Sequence, residues 1–230
     1  PGAWFGSAVD TETDGNGGLC PGFAPYDDDE CQGDGDAGLI IPAAFSIVNQ
    51  TEIPCISWFT QPLGSTCATA VWGTNIDISF ITSIPGQTKA YINVLIDWNQ
   101  DGMWGGTSTC PPGITVPEHV LVDFQVSNPI SGSSHLSVYQ PPAFQIGPNA
   151  GYVWARLSIT EAPVGQPWDG SGSFDFGESE DYLLLVSGPG SDTLDFGDAS
   201  EPYPTLWVNN GARHSLDGIT FLGTLVDAEY

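Results

Sequence analysis

Glycine and proline punctuate this chain so often that long regular helices have no room to form. The 230 residues include 29 Gly and 19 Pro. Between them lie short runs rich in β-branched and aromatic side chains, the pattern of strands bounded by turns. The clearest are GLIIPAAFSIVN, TAVWGTNIDISFIT, TKAYINVLIDW, EHVLVDFQVS, GYVWARLSIT and DYLLLVS. In GYVWARLSIT, Val153, Ala155, Leu157 and Ile159 share one face, while Trp154, Arg156 and Ser158 take the other. That alternation marks a half-buried strand. No segment sustains a 3.6-residue apolar period. The expected fold is all-β: an antiparallel β-sandwich, jelly-roll or Ig-like, of roughly eight to ten strands.

Three regions differ in composition. Residues 1–37 are acidic and turn-rich, residues 38–188 form the strand-rich body, and residues 189–230 open with the connector SGPGSDTLDFGDASEPYP. The chain carries 28 Asp and Glu against three basic residues, Lys89, Arg156 and Arg213, for a formal charge of −25. Such an excess opposes compaction unless cations offset it. It also makes nucleic acid and anionic membranes poor partners. Eight Trp, eleven Phe and seven Tyr argue against disorder, since they need a core. No apolar run approaches the roughly 20 residues of a membrane helix, so no membrane insertion is expected. The start lacks a signal-peptide pattern, which reads as a mature chain or a fragment.

Five cysteines stand at 20, 31, 55, 67 and 110. Close neighbours close loops at least entropic cost, which predicts Cys20–Cys31 and Cys55–Cys67 and leaves Cys110 over. Other connectivities are compatible with the spacing. Disulfides place the chain in an oxidising, extracellular setting.

Carboxylates cluster with cation-binding spacing. In IDWNQDGMW, Asp97, Asn99 and Asp101 alternate and Gly102 follows, as in EF-hand-like loops; the next ligand would be the Met103 carbonyl. Position 12 of such a loop is Ser108, so a remote carboxylate must complete the sphere. FGESEDYLLL offers Glu178, Glu180 and Asp181, of which the strand period lets only one or two serve. A second loop repeats the spacing at Asp10, Glu12 and Asp14, with Gly15 and Asn16 following. Asp28 and Asp34 lie in the next acidic run. Both sites are expected to take Ca2+.

The chain also repeats itself. WFGSAVDTE at 4–12 matches FLGTLVDAE at 221–229: Phe5-Gly6 aligns with Leu222-Gly223, and Asp10 and Glu12 with Asp227 and Glu229. A chain that resumes its own beginning has the signature of a tandem array.

IDWNQDGMW, GYVWARLSI and FGESEDYLLLV together resemble the GEVED-type module of large, secreted, repetitive bacterial surface proteins. Ser179 stands where the signature has Val, and Met103 where the family commonly has an acidic or small residue. DFGDASEPYPTLWVNNGARH resembles the segment that joins such modules. The resemblance implies an extracellular β-sandwich in tandem copies, adhesive or structural in character, with no catalytic activity.

The residues agree that no enzyme is expected. His119, His135 and His214 lack metal spacing, and no nucleophile motif is present. The expected function is a structural repeat unit of an extracellular filament, fibre or surface layer. It would be calcium-stabilised and join identical subunits or adjacent repeats head to tail through residues 189–230. The alternative is a calcium-dependent carbohydrate-binding or adhesin module, with Trp98, Trp104 and Trp168 as a platform for surface glycans.

Overall fold

The computed structural model describes residues 2–7, 38–48, 51–55, 61–82, 89–127 and 134–188, with the short stretches 194–196 and 212–215. The strands begin with β1 (Ala3–Phe5), β2 (Leu39–Ile41), β3 (Phe45–Val48), β4 (Thr51–Pro54), β5 (Gly64–Ser65) and β6 (Thr69–Ala70). They continue with β7 (Asp77–Thr82), β8 (Lys89–Ile96), β9 (Thr107–Cys110), β10 (Ile114–Pro117) and β11 (His119–Ser127). Next come β12 (Ser134–His135), β13 (Phe144–Gln145), β14 (Gly151–Thr160), β15 (Gly177–Ser187), β16 (Leu194–Phe196) and β17 (Arg213–Ser215). One 3-10 turn, Leu136–Tyr139, is the sole helical element among the described residues. None of their helices is long and apolar enough to cross a membrane.

The larger sheet runs β11-β8-β14-β15-β3-β4, and β5 joins β15 in parallel. Every other ladder is antiparallel. The smaller sheet is β1-β7-β12, with β2 also on β7. Val153, Ala155, Leu157 and Ile159 are all buried as expected; on the other face Trp154 and Arg156 are half-buried, but Ser158 is buried as well. With Ile92, Val94, Ile96, Tyr182 and Leu184 the four apolar residues meet Phe5, Ile78 and Phe80 of the smaller sheet in one apolar cluster. GLIIPAAFSIVN, read as one run, is two strands in different sheets. Pro42 lacks the N–H that would continue the ladder, and the chain crosses there from β2 to β3.

Tyr182 fastens the layers. Its hydroxyl accepts the backbone N–H of Gly38 at 2.8 Å and of Leu39 at 3.3 Å. Burial pushes its own ionisation far above the usual phenol range. Gly38 has no room for a side chain: a Cβ there would lie 2.4 Å from the Phe5 Cβ.

Candidate metal centre

The β8 ladder ends where the Asp97 N–H donates to the Trp154 carbonyl at 3.0 Å. The chain then turns tightly around the Asp97 carboxylate. Oδ1 accepts the Asp101 N–H at 3.2 Å and Oδ2 the Gly102 N–H at 3.0 Å. Asp101 Oδ1 in turn accepts the Met103 N–H at 2.9 Å. Gln100 and Gly102 adopt positive φ of 59° and 77°. For Gly102 the backbone conformation sets the requirement, because a Cβ would meet nothing within 4 Å. The loop is pinned from below by Trp98, fully buried, whose Nε1 donates to the Pro117 carbonyl at 3.1 Å. From the side, Asn149 Nδ2 donates to the Trp98 carbonyl at 3.0 Å. Gln100 Nε2 reaches the carbonyls of Ala150 and Tyr152, each at 3.3 Å.

The carboxylate that sequence reasoning missed is Glu118. The β9–β10 hairpin pairs Pro117 with Thr107, which brings Glu118 opposite Gly106. There the Glu118 N–H donates to the Gly106 carbonyl at 3.0 Å, and Glu118 Oε2 accepts the Gly106 N–H at 2.7 Å. The Ile96 N–H donates to the Glu118 carbonyl at 2.8 Å, setting the residue beside the root of the loop. Glu118 is 0% exposed, and its Oε1 is buried without a hydrogen-bond partner. Burial holds its carboxyl above the usual range; the amides of Gly106 and Asn99 pull it down, and the charges of Asp97 and Asp101 push it up. One sequence signal pointed to it: Glu118 continues the two-residue alternation of Ile114 and Val116 just past the end of β10.

The donors at this corner are two loop carboxylates, the Asn99 amide, backbone carbonyls and the buried Glu118, an all-oxygen set of the kind calcium prefers. The orphaned Glu118 oxygen fits such an ion. Among the described residues no three His, Cys, Asp or Glu side chains already stand grouped at metal-holding distance. Closing the sphere therefore requires side-chain rotation, in which exposed Asp101 would exchange the bonds it accepts from the Met103 N–H and Asn99 Nδ2 for the ion.

The structure does not bring Glu178, Glu180 and Asp181 to this loop. Asp97 lies level with Trp154, and Trp154 pairs with Leu183. Glu180 and Glu178 are three and five residues further along β15, about 10 and 17 Å at ~3.3 Å per residue. Both also lie on the Tyr182 side of the sheet, whereas Asp97 falls on the opposite phase. Their surroundings give these residues other tasks. Glu178 Oε2 accepts the Phe5 N–H at 2.5 Å and so holds β1. Glu180 is buried. Asp181 forms a two-pronged ion pair with Arg156, Nε to Oδ1 at 2.7 Å and Nη2 to Oδ2 at 2.5 Å. Ser179 meets the Ser158 hydroxyl at 2.5 Å. Gly177, at φ 130°, lies so close to the Ile159 carbonyl that no Cβ fits.

Residues 91–185, from β8 into β15, match the GEVED domain. This segment is similar to a GEVED-type module. The match covers about two-fifths of the chain and includes the loop, Glu118 and the whole Gly177–Tyr182 signature. No curated protein and no solved structure matches the chain. In this segment the Gly177–Tyr182 signature is a structural staple, tying β15 to β14, β1 and β2.

The disulfide expectation needs correcting. Cys67 bonds Cys110, with their Cα atoms 5.6 Å apart, so Cys55–Cys67 does not form and Cys110 is not left over. Loop-closure entropy ranks pairings in the unfolded chain, whereas the folded strands decide which thiols meet. Here the Cys67 N–H donates to the Gly147 carbonyl and Cys110 Sγ lies 3.5 Å from the Ile146 carbonyl, so one segment aligns both. Cys55 is also disulfide-bonded. Cys20, Cys31 and the second set of proposed ligands, Asp10, Glu12, Asp14, Asn16, Asp28 and Asp34, lie outside the described residues.

The aromatic platform is not assembled. Trp98 is in the core, and Trp168 is buried, its ring tilted against His119 with centroids 5.8 Å apart. Trp104 is half-buried, with the Arg156 guanidinium 5.5 Å from its ring centroid.

Proposed function

We propose that this chain is a structural repeat unit of an extracellular filament, fibre or surface layer. In this reading it is a calcium-stabilised sandwich that joins identical subunits or adjacent repeats head to tail. The observation that carries the reading is the slot occupied by β1. Phe5 is fully buried and pairs with Phe80, its N–H is held by Glu178, and Gly6 follows at φ 62°, its N–H on the Ser79 carbonyl at 3.2 Å. Residues 221–229 repeat that sequence with an apolar residue, Leu222, at the Phe5 position and Gly223 at the Gly6 position. The chain thus encodes this edge-strand pattern twice, and one copy suits the sheet edge of a neighbour. Addition of a strand to a sheet edge is a common mode of association. Because donor and acceptor differ, it propagates rather than closes. The Cys67–Cys110 bond agrees with an oxidising, extracellular setting.

Electron microscopy of the full chain and of a truncation lacking residues 195–230 tests this. The full chain should form filaments, and the truncation should remain folded and dispersed. Filaments from the truncation would overturn the arm-docking reading. Calcium-dependent sugar binding has lost two of the three tryptophans that suggested it. Specific, calcium-dependent signals on a glycan array would restore it.

A further inference from the structure

We propose that Glu118 is the closing ligand of a divalent-cation site with Asp97, Asn99 and Asp101. It reaches across from the β10–β11 junction to fill the role that a glutamate at position 12 plays in an EF-hand loop. The inference rests on the calcium part of the reading above and supplies the ligand that its sequence lacks.

Two independent observations meet here. The first is the loop itself: the Asp97 carboxylate is wrapped by the N–H groups of Asp101 and Gly102. That wrapping alone is only a turn. The second is Glu118, wholly buried, with one oxygen satisfied by Gly106 and the other without a partner. Its near neighbours Asp97 and Asp101 carry the same sign of charge. A buried carboxylate oxygen without a partner, with two further carboxylates in its surroundings, is unfavourable unless positive charge offsets them. Two of the chain's three basic residues are placed elsewhere. Arg156 is committed to Asp181, and Lys89 is exposed at the far end of β8. Three carboxylates with neutral Asn99 and carbonyl oxygens suit a calcium ion, which accepts six to eight oxygens in flexible geometry; magnesium demands a tighter octahedron.

The hairpin explains how the role moves out of the loop. Position 12 falls on Ser108, within β9, where a carboxylate would sit one strand away from the turn. The antiparallel return through β10 brings position 118 to the root of the loop instead, and the Ile96–Glu118 backbone bond fixes it there.

The test uses the full chain and Glu118→Gln, which keeps the shape and removes the charge. Calcium is titrated calorimetrically, and terbium luminescence is followed through excitation of the nearby Trp98 and Trp104. Thermal melts are recorded in excess calcium and in chelator. Glu118→Gln should lose about tenfold or more in calcium affinity at one site. Its melting temperature should be below wild type in calcium and above wild type in chelator, because the isolated charge is gone. This crossing is the decisive sign, since a purely structural role would shift both melts the same way. Glu118→Asp, which retracts the carboxylate while keeping its charge, should show the affinity loss even if Glu118→Gln folds poorly. Wild-type affinity in both variants would overturn the role of Glu118 while leaving a calcium-stabilised module standing. Absence of calcium binding by the wild-type chain would overturn both.

Discussion

Replacing both members of the Cys67–Cys110 bond with alanine should cost about 4 kcal/mol. The bond closes a loop with a sequence separation of 43. For a loop of that size the chain-entropy relation gives roughly 13 cal/mol/K removed from the unfolded ensemble, or about 4 kcal/mol at 25 °C. In a chain of this length, that is a fall in melting temperature on the order of 10 °C. Alanine is the appropriate replacement because Cys110 is fully buried, and serine would add the cost of an unpaired hydroxyl. The assay is urea unfolding of wild type, Cys67→Ala, Cys110→Ala and the double variant. Each single change should cost nearly as much as the double, since breaking the bond once removes the whole constraint. Cys55→Ala should add its own loss independently of Cys110→Ala. Additive losses for positions 67 and 110, or a non-reduced peptide map linking 55 to 67, would refute the pairing and the entropy argument built on it.

Tyr182→Phe should cost about 2–3 kcal/mol in chemical unfolding, because the N–H groups of Gly38 and Leu39 lose their shared acceptor in a buried site. Gly177→Ala should cost about 3 kcal/mol or more, since its Cβ would collide with the Ile159 carbonyl, and hydrogen exchange should report fraying of the β14–β15 ladder. His119 titrates below its ordinary value of 6.5 because burial outweighs the pull of Asp123 and the Leu121 backbone. Its contribution is intact above the unfolded value and is lost as pH falls through 6.5 toward the lower folded one. Unfolding in saturating calcium should thus show declining stability below pH 6.5, and His119→Gln should flatten that slope.

The body of the fold was written in local periodicity. β14 could be placed from its alternation, and the tight turn at Asp97–Gly102 from its spacing. What escaped depends on residues distant in sequence. Glu118 reaches the loop only because a hairpin returns the chain in one particular register, and no local window contains that information. Glu178, Glu180 and Asp181 were legible as an acidic cluster. The separation of Glu178 and Glu180 from the loop follows from the pairing of β14 with β15 and β8, which sets both the distance and the face, while Asp181 is taken up by Arg156. Cys110 looked unpaired because neighbour spacing says nothing of the strand alignment at Ile146 and Gly147. The run at 38–49 looked continuous because Pro42 marks a departure from one sheet without stating which sheet comes next.

The order β11-β8-β14-β15-β3-β4 has a kinetic consequence. β3 with β4, and β8 with β11, are pairs formed from nearby sequence, and they flank the middle of the sheet. The two strands that bridge them, β14 and β15, are the last of the body to be synthesised. Until residue 187 has emerged, β8 and β3 each carry an open inner edge, and Glu178 is not yet available to hold Phe5. The keystone arrives at the end. Folding should therefore be a late, concerted closure with a high proportion of non-local contacts, slow relative to a helical domain of similar size.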